Sequence, residues 1–127
     1  MTRLATQIAK TEELKAIEDI LQNYDMSSDY IKKVALNCEF HRKIGSACGN
    51  PIYSIIINTI MDYNERFSIT LNPFRIVIHR QGDHRKIFNA IKDRNPEKAI
   101  ILSQEHCQHL LEDMKKYEKT YLALVNK

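Results

Sequence analysis

Apolar residues recur along most of the chain at intervals of three and four positions, the spacing that places side chains on one face of an α-helix. The pattern is clear in residues 14–21 and again in residues 99–110. It stops at residues 49–51 and 95–96, where glycine or asparagine can end one helix and proline can open the next. The pattern therefore predicts a chain of helices joined by short turns.

Three helices are predicted before the first of these stops. Residues 2–9 look like the end of a helix that is cut short, and Thr11 can cap the second helix. The third helix begins after Ser27 or Ser28, either of which can act as its N-cap, and it runs to Cys48. The intervening break falls near residues 24–27, so the turn between the second and third helices is short.

The second half of the chain contains three further helices and one ambiguous segment. A helix that begins at Pro51 is apolar on most sides and is expected to be central. Residues 67–80 suit a short strand, a loop or a distorted helix. Asp83 can cap a fifth helix that ends near Asn95, and residues 96–124 form the last. We expect an all-α fold, an antiparallel bundle of six to seven helices, in a single domain.

Composition and charge narrow the class of protein. The 127 residues suit one domain and include only three glycines and three prolines, too few for a fold rich in tight turns. The net charge of +3 is mild and spread along the chain, so no DNA-binding stripe is visible. Three scattered cysteines suit a reducing compartment, and the apolar run at residues 55–57 is far too short for a membrane span. We expect a cytoplasmic protein with no membrane partner.

Three histidines lie on apolar stripes of three different predicted helices. His41 follows Asn37 by one helical turn, and the two share a face. Each stripe has the three-and-four spacing: Val34, Cys38, His41 and Ile44; His84, Ile87 and Ile91; Leu102, His106 and Leu110. The three imidazoles are therefore expected to face the interior of the bundle.

Buried imidazoles require partners, since each one left unsatisfied costs about 1–3 kcal/mol. Hydrogen bonds can satisfy them one at a time, and a divalent metal can satisfy all three together. Asn37 can add a fourth ligand through its side-chain oxygen. Such a set leaves positions open for water or an acidic ligand and suits zinc, nickel, manganese or iron. Helical spacing alone does not decide between hydrogen-bonded core histidines and a metal site.

Several segments resemble the FCD family, the C-terminal ligand-binding domains of FadR-type regulators within the GntR family. Residues 37–41 (Asn-Cys-Glu-Phe-His) and 49–51 (Gly-Asn-Pro) resemble the family's Asp or Asn, its histidine after an aromatic, and its Asn-Pro break. Residues 84–91 (His-Arg-Lys-Ile-Phe-Asn-Ala-Ile) resemble the family's second motif, a histidine followed by an isoleucine and an Ala-Ile pair. Residues 95–106 resemble the third, a histidine about three turns into the last helix, and residues 4–21 resemble the opening helices.

The resemblance implies a metal site made of Asn37, His41, His84 and His106. It implies a divalent ion, with zinc the first expectation, that helps hold a small carboxylate effector. Many members have Asp at the position of Asn37. The amide of Asn37 lacks the charge of that carboxylate, so this site has one negative charge fewer. Arg80 is expected to reach the effector by bidentate pairing, and Thr59 is expected to face inward and line the cavity.

The resemblance further implies an effector-binding and dimerisation domain, with a homodimer as partner. Family members carry a winged helix-turn-helix domain before this one, and we expect that domain to be absent from this chain. We therefore expect DNA to be bound only through that separate domain. We expect no enzymatic activity. Two alternatives stay open: a metal-dependent hydrolase-like enzyme, because three histidines with open coordination also describe a catalytic zinc site, and a metal-free helical dimerisation module.

Overall fold

The computed structural model of the protein describes residues 6, 9–47, 49–71 and 82–126. Within these residues it contains five α-helices and no strand, which confirms the all-α class. The described residues hold fewer helices than the six or seven expected, and most of the first predicted helix lies outside them. In chain order the helices are α1 (Thr11–Met26), α2 (Tyr30–Ala47), α3 (Pro51–Thr70), α4 (Asp83–Lys92) and α5 (Pro96–Val125).

Short polar side chains start three of the helices. Asn50 and Asn95 each accept a hydrogen bond from a backbone N–H in the first turn of the following helix, at 3.0 and 3.1 Å. The carboxylate of Asp29 accepts a hydrogen bond of 3.0 Å from the N–H two residues on, in the first turn of α2. The cap of this helix is therefore Asp29, and the prediction of Ser27 or Ser28 is wrong by one or two residues.

The helices pack as two groups around a main core, and a second apolar cluster forms where the end of α3 packs against the later part of α5. Helix α2 packs against α1 and α3, α4 packs against α5, and α1 contacts α4 to join the groups. Only a few residues separate α1 from α2, α2 from α3 and α4 from α5, so each of these pairs is antiparallel. The main core is built from apolar faces of the histidine-bearing helices and α1, chiefly Ile17, Leu21, Phe40, Ile44, Phe88 and Ile91.

Helix α3 departs from the expected arrangement in two ways. It continues to Thr70, so residues 67–70 of the ambiguous segment are helical, whereas residues 72–81 lie outside the described part of the chain. Its inner side buries Met61 and Phe67, but its apolar outer side is exposed. The expectation that this helix is central is therefore wrong. None of the helices in the described ranges has an apolar stretch long enough to cross a membrane.

Candidate metal centre

Three imidazoles from three different helices meet inside the bundle. His41 lies on α2, His84 near the start of α4, and His106 on α5. One ligand atom of each lies within 4.8 Å of the other two. The ring centroids are 4.9 Å apart for His84 and His106, and 5.1 Å for the two pairs that include His41. The structure thus brings together the three histidines that lie far apart in the sequence.

The turn between α4 and α5 sets the level at which two of these histidines meet. His84 lies ten residues before Arg94 in this turn, and His106 lies twelve residues after it, so an antiparallel hairpin places them at a similar height. The ring of Phe40 on α2 packs against the ring of His84, with centroids 4.8 Å apart. Because Phe40 precedes His41 directly, the same turn of α2 positions one imidazole and supplies another.

Within the triad, Nε2 of His41 lies 3.3 Å from Nε2 of His106. Two nitrogens bound to one tetrahedral metal at roughly 2.0–2.1 Å would lie roughly 3.3 Å from each other. The same distance also suits a direct hydrogen bond in which one nitrogen carries a proton. The ligand atoms of all three histidines lie within 4.8 Å of one another, which is wider than this spacing. The three rings are therefore close together but do not form a closed coordination sphere.

One carboxylate that the sequence did not indicate as part of the site hydrogen bonds to an imidazole of the triad. Asp83 is the first residue of α4 and Gly82 is its N-cap, so the predicted capping role of Asp83 is wrong. Its Oδ2 is 3.2 Å from Nδ1 of His106 and 3.1 Å from Nδ1 of His109. An ionised carboxylate can only accept, so Nδ1 of each imidazole donates, and Nε2 of His106 keeps its lone pair. Its position directly before His84 was the available sequence signal.

The charge states at the centre follow from burial and from these hydrogen bonds. Burial lowers the pKa of His106, and this effect exceeds the opposing effect of the hydrogen bond to Asp83. Burial alone would raise the pKa of Asp83, but the hydrogen bonds from His109 and His106 hold it below its ordinary value. Near neutral pH these shifts favour a neutral imidazole beside an ionised carboxylate. Neutral imidazole is the form that can bind a metal.

A pocket of about 640 Å³ opens beside the triad, between α3 and α5. Its volume lies within the range of roughly 300–1,000 Å³ that is usual for small-molecule sites. His41 and His106 form part of its wall, and most of the remaining wall is aliphatic. These two imidazoles therefore border a space that a small molecule can enter, even though His106 is only 4% exposed.

Comparison with protein families identifies the domain. The profile of the FCD domain matches residues 1–109 of the chain. The chain belongs to the FCD domain family. This finding confirms the resemblance to the C-terminal domains of FadR-type, GntR-family regulators that rests on residues 37–41, 84–91 and 95–106.

One curated relative of this FCD domain is the "HTH-type transcriptional repressor NanR" of Klebsiella aerogenes, which is 27% identical over 113 residues. The alignment covers 84% of the chain but 42% of the relative, so the chain spans less than half of the relative's length. No solved structure matches the chain in a search of known structures.

Asn37 is the fourth site residue that the resemblance to FCD domains indicated. It lies on α2 one turn before His41 and is buried, with 1% of its surface exposed. Neither its Oδ1 nor its Nδ2 makes a hydrogen bond within the part of the chain that the structure describes. A buried amide left without a partner costs on the order of 1–3 kcal/mol, so a bound group that pairs with this amide would stabilise the domain.

The two residues expected to contact an effector have different outcomes. Arg80 lies outside the described residues. Thr59 is exposed on α3, and its hydroxyl donates a hydrogen bond of 2.9 Å to the carbonyl of Ile55. The inward orientation expected for Thr59 is wrong, because α3 turns the side that carries Ile57 and Met61 towards the other helices.

Proposed function

We propose that this FCD domain is the effector-binding domain of a GntR-family transcription regulator of the cytoplasm. In this proposal His41, His84 and His106 hold a divalent metal, Asn37 completes the set of protein ligands, and the metal holds a small carboxylate effector. The observation that carries the proposal is the 3.3 Å between Nε2 of half-buried His41 and Nε2 of buried His106. That distance is the one expected for two ligands of a single tetrahedral ion.

The residues present fit a divalent ion. Three neutral imidazoles and an amide oxygen carry no net charge, so a bound ion keeps its full positive charge and attracts an anion. The buried side chain of Asn37 has no hydrogen-bond partner among the described residues, as expected for a group that faces a ligand. Zinc is the first choice, and nickel, manganese and iron accept the same ligands. When bound, the metal supplies Lewis-acid attraction for the effector carboxylate.

The position of Asp83 favours sensing over hydrolysis. A metal-dependent hydrolase needs a base close to the water on the open side of the metal. Asp83 bonds to Nδ1 of His106, which is on the side of the ring opposite Nε2. Glu39, two residues before His41, is exposed. Asp83 is therefore placed to orient an imidazole, and neither carboxylate is placed to activate a water molecule on the pocket side.

In the proposed regulator, the effector changes the balance between two arrangements of a homodimer. A winged helix-turn-helix domain elsewhere in the full-length protein then binds DNA more tightly or more weakly. Arg80 remains a proposed partner of the effector carboxylate, since a guanidinium can pair with it through two hydrogen bonds. Because Ile57 on the inner side of α3 lines the pocket, this helix lies between the effector and the outer surface.

The outer side of α3 supports the proposed homodimer. Residues 49–61 contain no charged side chain, although much of this stretch is exposed. A symmetric dimer brings the same patch of both copies together, so an uncharged patch avoids like-charge repulsion. Contiguous apolar patches of a few hundred Å² commonly mark interaction sites. The residues of this outer face are each 46–67% exposed: Ile52, Ile55, Ile56, Ile60 and Tyr63.

Metal uptake tests the proposed function. The protein is stripped with a chelator, dialysed and titrated with Zn²⁺, while elemental analysis follows bound metal and circular dichroism follows the melting temperature. We expect one ion per chain, and at 100 times the dissociation constant a gain of about 2.7 kcal/mol in the free energy of unfolding. Far less than one ion per chain, with no change in melting temperature, would leave a metal-free helical dimerisation module as the function.

A further inference from the structure

The pocket beside the triad has a polar end and an aliphatic wall. His41 and His106 form the polar end. The aliphatic side chains come from four helices and face the same space: Ile44, Ile57, Ile87, Ile100 and Leu111. Along α5 the wall runs from Ile100 to Leu111, which is about 16 Å at 1.5 Å per residue. His106 lies near the middle of this length, so a molecule held at the histidines has aliphatic surface on both sides.

Four other polar side chains complete the described wall, and two of them already donate hydrogen bonds: Ser103, Gln104, Cys107 and Gln108. The hydroxyl of Ser103 donates a hydrogen bond of 2.7 Å to the carbonyl of Ala99. The amide nitrogen of Gln108 donates one of 3.1 Å to Glu112. Among the described residues that line the pocket, none is Asp, Glu, Lys or Arg. A ligand with many hydroxyl groups would exchange its hydrogen bonds to water for these few uncharged groups beside an otherwise aliphatic wall, which is unfavourable.

From this arrangement we infer that the effector is an aliphatic monocarboxylate, with its carboxylate at the metal and its hydrocarbon chain against the isoleucines and Leu111. The inference rests on the proposed function, because the metal supplies the positive charge that the described wall lacks. It adds the chemical class of the rest of the molecule. Burial of each methylene on the aliphatic wall favours longer chains until the pocket is filled.

The test is a calorimetric titration of the zinc-loaded protein with straight-chain acids from acetate to octanoate, and with gluconate. Hexanoate and gluconate have the same number of carbons, so their comparison isolates the hydroxyl groups. We expect the dissociation constant to fall by up to about fourfold per added methylene, and hexanoate to bind at least tenfold more tightly than gluconate. Tighter binding of gluconate, or affinity independent of chain length, would overturn the inference.

Matched variants locate the hydrocarbon chain. Leu111→Asn places an amide in the wall at a half-exposed position where folding is little affected, and we expect it to weaken octanoate several-fold while acetate and Zn²⁺ affinities stay unchanged. Ile101→Asn, an exposed position outside the pocket on the same helix, should change none of the three. Equal octanoate affinity in both variants would contradict the assignment. If the unmodified protein does not bind Zn²⁺, the proposed metal centre itself is wrong. Failure of the metal centre and failure of the inferred effector class are therefore distinguishable.

Discussion

The histidine triad and the outer face of α3 are opposite exceptions to the usual distribution of residues in a helical domain. At the triad, the imidazoles of His84 and His106 are buried beside the ring of Phe40, and one turn before His41 on α2 the amide of Asn37 is buried too. On the outer face of α3, isoleucines are exposed, and Ile55 has 67% of its surface accessible. One region therefore places polar groups inside the domain, and the other places apolar groups outside.

The two regions differ in the kind of partner that would remove their unfavourable exposure or burial. Buried nitrogen and oxygen ligands become satisfied when an ion binds them, and the cost of burying them becomes binding free energy. An exposed apolar face becomes a core when a second copy covers it. In the proposed function both exceptions serve binding, the first of a metal with its effector and the second of another copy of the chain.

His106→Gln should have the largest effect at the triad. We expect Zn²⁺ to bind at least about 100-fold more weakly, because the change removes a ligand that Asp83 holds in place. Isothermal titration calorimetry measures the affinity. His109→Gln, one turn later on α5, is the matched control and should lose less than about tenfold. Equal losses in the two variants would show that the ion is not bound at the triad.

Ile55→Lys should have the largest effect at the outer face of α3. We expect the dissociation constant of the homodimer to rise on the order of 100-fold, because a symmetric interface would bring two like charges together. Analytical ultracentrifugation measures it. Ile101→Lys makes the same change at an exposed isoleucine of α5 and should leave dimerisation unchanged. A dimer that survives Ile55→Lys intact would exclude this face as the interface.

Asp83→Asn should weaken Zn²⁺ binding by about 10- to 100-fold, the usual effect of removing a partner that orients a ligand. An amide can present either a donor or an acceptor to Nδ1 of His106, so the tautomer that exposes the Nε2 lone pair is no longer enforced. Asp25→Asn removes the same charge at an exposed ion pair with Arg85 and serves as the control. If both variants bind Zn²⁺ alike, the carboxylate of Asp83 does not act through the imidazole.

Asn37→Asp should have a smaller effect and the opposite sign. A carboxylate in place of the amide adds a negative charge to the ligand set, and we expect Zn²⁺ to bind about tenfold more tightly. Without metal the same variant should melt at a lower temperature, because it buries a carboxylate without a partner. Calorimetry and thermal denaturation measure the two quantities on one preparation. A lower melting temperature with no gain in affinity would place Asn37 outside the ligand set.

Much of the fold could be predicted from the sequence, because the signals are local. The turns at residues 49–51 and 95–96 follow from proline and asparagine chemistry, and in the structure Asn50 and Asn95 cap the helices that follow. The cap of α2 was misplaced by only one or two residues, whereas the wrong predictions for Asp83, for Thr59 and for the central place of α3 depended on neighbours distant in the chain. Asp83 has a residue type that caps helices, but the presence of His106 and His109 gives its carboxylate other partners.

The sequence by itself determined that the chain is helical and that each of the three histidines shares an apolar stripe, because a repeat of three and four residues decides which side of a helix is apolar. Only the tertiary structure decided that the stripes of α2, α4 and α5 meet at one point and that the isoleucines of α3 remain outside. The same repeat is compatible with many packings of the helices, and contacts between residues far apart in the chain select one of them.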